Sequence, residues 1–347
     1  MYKFKFVNGF LIALVVLVTP AISSTAFGAD EVEEVVAVGS RREARSVGDS
    51  PAPVDIITGA DFVNQGAMDL PDMIRTMVPS FNVNTQPISD AATLIRPANL
   101  RGLPPDNMLV LVNGKRRHRG AVISFLGSGI SDGAQGPDIS AIPSIALKQL
   151  EVLRDGASAQ YGSDAIAGIM NFVLRDDSEG TQLQIRSGEY KEGDGAAWRI
   201  AANVGMPFTA SGFANLSVEI QDSEATSRSV QRADAQGLYD GGNTAIWNYP
   251  DPAQIWGSPE VSDDYKFVVN LGVSLDESKD FYLFGNYGER NVLGGFFFRN
   301  PTNRGGVFST DGGATRLVGD VAEATTGAAR TCPVVPVPAS GAGSSTD

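Results

Sequence analysis

Five segments in the second half of the chain alternate apolar and polar residues with a period of two, and they limit the fold more than any other feature. Residues 181–187 put Leu183 and Ile185 on one face and Gln182, Gln184 and Arg186 on the other. Trp198, Ile200, Ala202 and Val204 oppose Arg199, Ala201 and Asn203, and Ala214, Leu216, Val218 and Ile220 oppose Asn215, Ser217, Glu219 and Gln221. Phe267, Val269, Leu271 and Val273 oppose Lys266, Asn270 and Ser274, with Val268 breaking the polarity; Phe281, Leu283 and Tyr287 mark a fifth segment. Successive side chains of a strand point to opposite faces, so each segment is expected as a strand with one apolar and one polar face. A soluble sandwich alternates as well, and the connections favour a membrane barrel. Those at 205–211 and 276–280 are tight, 188–195 is short, and 222–264 and the stretch beyond about 290 are long. Outer-membrane barrels alternate short periplasmic turns with longer outer loops in this way. The loop at 222–264 would then face outward, its Trp247, Tyr249 and Trp256 serving either a ligand or the loop's own packing.

Five strands cannot close a barrel, and an open edge in hydrocarbon leaves unpaired N–H and C=O groups at several kcal/mol apiece. The end of the sequence is rich in Gly, Ala, Ser and Pro where strands should continue. The expectation is therefore the N-terminal part of a longer, truncated protein. At the start, Lys3 and Lys5 precede an apolar run from Phe10 to Val18 and small residues up to Ala29. That is the layout of an export signal over 1–29, and the run is too short for the roughly 20 apolar residues of a membrane span. Residues 30–49 then read as an arm. Its Val35–Val38 run suits addition to another protein's sheet edge, or else belongs to a disordered N-terminus.

Charge and composition remove whole function classes. With 27 Lys+Arg against 40 Asp+Glu, the net charge of -13 argues against nucleic acid, whose binding needs concentrated positive charge. One Cys (Cys332) and one His (His118) cannot build a zinc site, so no metal centre or cofactor is expected. Asp132, Asp138 and Asp155 stand near turns with no base or oxyanion site at a defensible spacing, so no enzyme is expected either.

Residues 50–178 read as a compact α+β domain. Val54–Ile57 is a strand, and Thr58 or Asp61 caps a helical turn. Residues 69–77 place Leu70, Met73, Ile74 and Met77 on one helical face, with Pro79 as the stop. Met108–Val112 is a buried strand entering an Asn113-Gly114 type I′ turn, with Lys115-Arg116 as the return. Helical turns around Pro143 lead to a strand at Leu150–Leu153. Ser158–Tyr161 is one helical turn, and Ile169–Leu174 is another strand. The basic tip Lys115, Arg116, Arg117, His118 and Arg119 would either attract an anionic solute or neutralise nearby acids.

Three stretches carry a family resemblance. They are residues 51–83 (PAPVDIITGADFVNQGAMDLPDMIRTMVPSFNV), 99–117 (NLRGLPPDNMLVLVNGKRR) and 150–175 (LEVLRDGASAQYGSDAIAGIMNFVLR). They resemble the plug domain of TonB-dependent outer-membrane receptors, and the segment Glu34, Val35, Val36, Ala37 and Val38 is similar to the short TonB box. The resemblance implies an α+β plug domain followed by the start of an antiparallel transmembrane β-barrel, about five strands of some 22. On that basis the chain divides into a signal (1–29), a periplasmic arm (30–49), a plug (50–178) and an incomplete barrel (179–347). The implied function is energised uptake of a bulky solute at the outer membrane of a Gram-negative bacterium. A ferric siderophore is the family default; a glycan, cobalamin or another nutrient, or a non-transporting plug fragment, are the alternatives. The implied partners are TonB with the ExbB-ExbD motor, outer-membrane lipid and a ferric chelate. Arg101, Glu151 and Arg154 match positions that join plug to wall by ion pairs, although ordinary surface charges would look the same. Residues 116–119 match a solute-facing plug loop. Gly102, Gly114, Gly156, Gly162 and Gly168 serve backbone geometry.

Overall fold

The computed structural model describes residues 53–83, 91–124, 129–240, 257–276 and 278–294, together with a few short strand pairs. One pair, β1 (Val35–Val36) with β2 (Arg45–Ser46), lies in the arm. Others join Arg316–Leu317 to Val335–Pro336 and Asp320–Ala322 to Ala329–Thr331. The expected signal, Glu34, Ala37, Val38, the loop aromatics Trp247, Tyr249 and Trp256, and Cys332 lie outside the described residues.

The first body is built on a five-stranded mixed sheet. In order it contains β3 (Val54–Thr58), β8 (Leu147–Leu153), β9 (Gly168–Leu174), β6 (Met108–Val112) and β7 (Lys115–Arg116). β6 and β9 run parallel and the remaining pairs antiparallel, while β4 (Phe81–Val83) and β5 (Ala98–Leu100) pair separately. Both sheet faces are covered, which is why β6 is a continuous apolar run rather than an alternating one. Met108, Val110 and Val112 join one core with Leu150, Val152, Met170 and Phe172, whereas Leu109 and Leu111 pack on the other face with Val54, Leu153 and Ile169. Helix α1 (Gly59–Val63) starts in a capping box, the Thr58 hydroxyl accepting from the Asp61 N–H and the Asp61 carboxylate accepting from the Thr58 N–H. Helix α2 (Leu70–Met77) buries Leu70, Met73 and Ile74 in the larger core. The Asn113-Gly114 turn has φ of 47 and 71°, as a type I′ hairpin requires. Helix α3 (Ser158–Tyr161) is the single turn before β9.

The second body is an antiparallel meander of β10 (Thr181–Gly188), β11 (Ala197–Thr209), β12 (Gly212–Ser223), β13 (Glu260–Asp276) and β14 (Lys279–Leu293). Helix α4 (Ala233–Asp240) sits in the long connection between β12 and β13. Several strands run past the alternating pattern, so the first tight turn shrinks to residues 210–211, and β13 extends to Asp276 while β14 starts at Lys279. Ladder hydrogen bonds hold those strand ends, and hydropathy does not record such bonds. β8 likewise begins at Leu147, ahead of the expected Leu150, because exposed Lys148 and half-buried Gln149 interrupt the apolar run without ending the ladder.

The plug sheet packs against the polar face of the meander. Arg199, Asn203, Asn215, Ser217, Glu219, Gln221, Asp264, Lys266 and Asn270 are buried there, while Leu183, Ile185, Trp198, Phe267 and Tyr287 face outward. This inverts a soluble sandwich, whose inner face is apolar. Val268 breaks the pattern because it belongs to the plug's own core, with Phe284 packed beside it.

Candidate functional site

The seam between plug and sheet holds a continuous ladder of alternating charges. On β11, Arg199 Nη2 lies 2.7 Å from Glu219 Oε2 of β12. The second Glu219 oxygen lies 2.8 Å from Lys266 Nζ on β13, which is 3.5 Å from Asp264 on the same strand. Asp264 binds Arg290 Nε of β14 at 2.9 Å, and Arg290 crosses to the plug at Asp69, 3.4 Å away. Asp69, just before α2, also takes Arg96 Nη1 at 2.8 Å; Arg96 reaches Asp72 at 3.1 Å, and Asp72 meets Arg75 at 3.5 Å. Inward positions two residues apart on neighbouring strands come within reach of one another, so the sheet's pleat itself lines these charges up.

Further contacts cross the same seam. Arg199 donates to the Ser144 hydroxyl at 2.6 Å, and Asn113 donates to Asn270, whose own amide donates to the Arg175 carbonyl at 2.9 Å. Arg117 donates to Asn286 at 2.6 Å, and Lys115 lies 5.5 Å from the Tyr282 ring centroid. Arg186 of β10 donates to the carbonyls of Phe62, Val63, Gln65 and Ala67, capping the C-terminal end of α1, where unpaired carbonyls gather partial negative charge. A seam of this kind binds by hydrogen bonds and charge, both of which water can replace as the two faces part.

Two plug carboxylates in the seam titrate in opposite senses. Burial alone would raise Asp69, but Arg96, Arg290 and Lys266 outweigh it and hold the carboxyl below the usual range. Asp138 is pushed up by burial and by the Asp69 charge, against Arg290, Lys266 and the Ser140 N–H. An acid with a raised folded-state pKa loses stability above its ordinary value of 3.8. Asp138→Asn should therefore raise the urea midpoint of the plug at about pH 8, and the gain should fade toward about pH 2.5, where both states are protonated. A variant less stable than wild type at both pH values would mean that the charge on Asp138 is needed.

Glu151, Arg101 and Arg154 each have partners inside the plug. Glu151 is 1% exposed and accepts from Gln149 at 2.9 Å and Asn171 at 3.0 Å; Asn171 in turn accepts from the Gly114 N–H, tying the hairpin turn to the sheet. Arg101, with φ of 54°, lies 3.8 Å from Asp155, and Arg154 pairs with Asp55 at 2.5 Å. Among the described residues the ion pair that crosses the seam is Asp69–Arg290. Of the basic tip, Arg116 pairs with Asp164, Arg119 lies 3.6 Å from Asp106, and His118 is exposed. Gly102 and Gly162 adopt left-handed φ of 70 and 90°, and Gly156 has ordinary contacts.

The ladder's plug end opens on a cleft of about 530 Å3 between Ala67, Asp69, Asp72 and Arg96 of the plug and the strand ends flanking the long loops. Asp69, Asp72, Arg75, Arg96, Gln221 and Arg290 are among its walls. Among the described residues no group of three or more His, Cys, Asp or Glu side chains could hold a metal ion.

A family profile described as TonB-dependent Receptor Plug Domain matches residues 46–169, the body that carries β3 to β9. The chain carries a TonB-dependent receptor plug. The ferric enterobactin receptor PirA of Pseudomonas aeruginosa is 31% identical over 160 residues, 45% of this chain and 21% of its own length. The iron-regulated outer membrane virulence protein of Vibrio cholerae is 29% identical over 160 residues, 45% of this chain and 22% of that protein. The chain thus matches about a fifth of the length of these curated relatives. In fold it is similar to the siderophore receptor PirA of Acinetobacter baumannii, at TM-score 0.51 and 21% identity over 71% of this chain and 32% of that one. A ferric enterobactin receptor of Pseudomonas aeruginosa, in complex with enterobactin, gives 0.52 and 20% identity over 70% and 33%. The five strands behind the plug form an antiparallel sheet that is not closed on itself, in keeping with the early strands of an outer-membrane barrel.

Proposed function

We propose that this chain supplies the plug and first wall strands of a receptor for energised uptake of a bulky solute, with a ferric siderophore as the solute class. The observation that carries the proposal is the seam. A plug meant to stay would be packed on its wall mainly by apolar side chains, whereas this one, apart from the Val268 and Phe284 contacts, is held by an ion ladder and amide pairs that hydrate on separation. The matched relatives bear names of siderophore and enterobactin receptors, which supports the solute class. In this proposal TonB, driven by ExbB-ExbD, takes the Val35–Val38 segment as an added strand and pulls the plug from the periplasm. The exposed His118 and Arg119 of the basic tip face the solute side.

Uptake of radio-iron by iron-starved cells tests this directly, with a panel of ferric siderophores. Deleting the gene should reduce uptake of at least one chelate to background; unchanged uptake of every chelate would overturn the proposal. Val36→Pro removes a backbone N–H and fixes φ, so energised uptake should fall to background while chelate binding to whole cells is retained. Equal loss of binding would show that the arm serves the binding site instead.

A further inference from the structure

Four residues lining the cleft carry buried polar atoms with no hydrogen-bond partner among the described residues, the charged ones of both signs; one such atom is Asp72 Oδ1, which faces Arg75 at 3.5 Å. Arg96 leaves Nε and Nη2 unpartnered, and Asp69 leaves Oδ1 and Gln221 leaves Oε1. The Arg96 side chain is only 9% exposed, and its Nη1 alone serves Asp69 and Asp72. What remains is the Nε–Nη2 edge, the side of a guanidinium that takes a carboxylate through two parallel hydrogen bonds. Buried donors and acceptors are ordinarily satisfied, so an unpaired donor edge beside unpaired acceptors on one cleft points to a ligand with both functions. The outer lining adds Glu189, Asp222 and Glu224. These acids oppose a solute that is purely anionic and favour one that also presents a cation. The cleft volume of about 530 Å3 suits one such group together with part of a larger body.

We propose that the cleft binds a solute bearing a free amino-carboxylate, its carboxylate on the Nε–Nη2 edge of Arg96 and its ammonium toward Asp69 Oδ1 and Gln221 Oε1. This rests on the uptake proposal and narrows it, since the ferric chelate would carry that group outside its iron shell. The polar atoms are buried, so the solute reaches them by displacing lining side chains, of which Arg75 and Glu189 are exposed.

The test uses the receptor purified from outer membranes and calorimetric titration with matched probes. One probe is a ferric trihydroxamate bearing a free α-amino-carboxylate; the others are the same chelate as its methyl ester and as its N-acetyl derivative. A short peptide with the same free group and no iron separates a peptide source from a chelate source. The free chelate should bind about 10- to 100-fold more tightly than the ester, and the N-acetyl form should lie between them. Arg96→Lys keeps a cation beside Asp69 and Asp72 but has no two-toothed edge. It should erase the preference over the ester while binding of the ester itself stays the same. Equal binding of all three chelates to wild type, or a loss in Arg96→Lys shared by free chelate and ester, would overturn the inference. Tighter binding of the peptide than of the free chelate would overturn the chelate form. Binding of no probe would overturn the inference outright, and the uptake proposal would stand or fall separately on the radio-iron experiment.

Discussion

Asp69→Ala should release the plug from its wall at distinctly lower urea than wild type while leaving the barrel intact. Two guanidinium groups converge on this carboxylate, Arg96 from the plug at 2.8 Å and Arg290 from β14 at 3.4 Å. Removing one partner of a buried pair costs about 3–5 kcal/mol, because the remaining charge stays buried without compensation. Arg96 keeps Asp72 and Arg290 keeps Asp264, so the loss should fall near 3 kcal/mol. Plug release can be followed by protease cleavage of the receptor in detergent as urea is raised. The pH dependence supplies a second check. Because the folded-state pKa of Asp69 is lowered, its contribution is complete above the ordinary carboxylate range and is lost as pH falls through the lowered value. The gap between wild type and variant should therefore close in acid. An alanine variant that releases its plug at the wild-type urea concentration would remove Asp69 from the seam's energetics. Asp69→Leu combined with Arg290→Met should recover much of the loss, since apolar replacement of both partners of a buried pair is often neutral or stabilising.

Gly168→Ala should prevent the plug from folding. Gly168 opens β9 at φ of 142°, and a Cβ there would stand 2.3 Å from the Leu153 carbonyl oxygen and 2.8 Å from Leu100 Cδ2. The oxygen is backbone of β8, and the neighbouring pair Leu153–Ile169 fixes the register of the two strands, so the clash cannot be relieved by a rotamer change. Backbone strain adds about 1–3 kcal/mol and overpacking about 1–3 kcal/mol more. Together these come to about 2–6 kcal/mol, enough to unfold a domain at the low end of the usual stability of about 5–15 kcal/mol. Gly102, at φ of 70° in open space, should bear alanine with the strain cost alone. Limited proteolysis of outer-membrane fractions would show the difference as loss of the protected plug fragment in the Gly168 variant only. Equal protection of both variants would mean that β8 and β9 can part locally.

Much of this architecture could be read from residue order, because local rules govern it. The Asn113-Gly114 turn, the Thr58–Asp61 cap, the α2 stripe of Leu70, Met73 and Ile74 and the two-residue period of β10 to β13 each depend on residues a few positions apart. The polar inner face of the meander was equally plain, since Arg199, Glu219 and Lys266 occupy alternate positions opposite apolar ones. Their partners were not. Asp69 and Arg290 stand 221 residues apart, and no periodicity in either segment marks one for the other. Glu151 matches a plug–wall position by resemblance alone, and its hydrogen bonds to Gln149 and Asn171 within the plug sheet are marked by no local pattern. Val268 read as an irregularity in a barrel strand until the plug core was found to close over it. The sequence by itself determined the main strands and helices, the two faces of the meander strands and the plug motif, because hydropathy period and turn chemistry act over short range; β4, β5 and α4 left no such mark. Tertiary structure alone decided which charges meet across the seam and which edge of Arg96 is left unpaired, because those outcomes depend on how two separately folded sheets are set against each other.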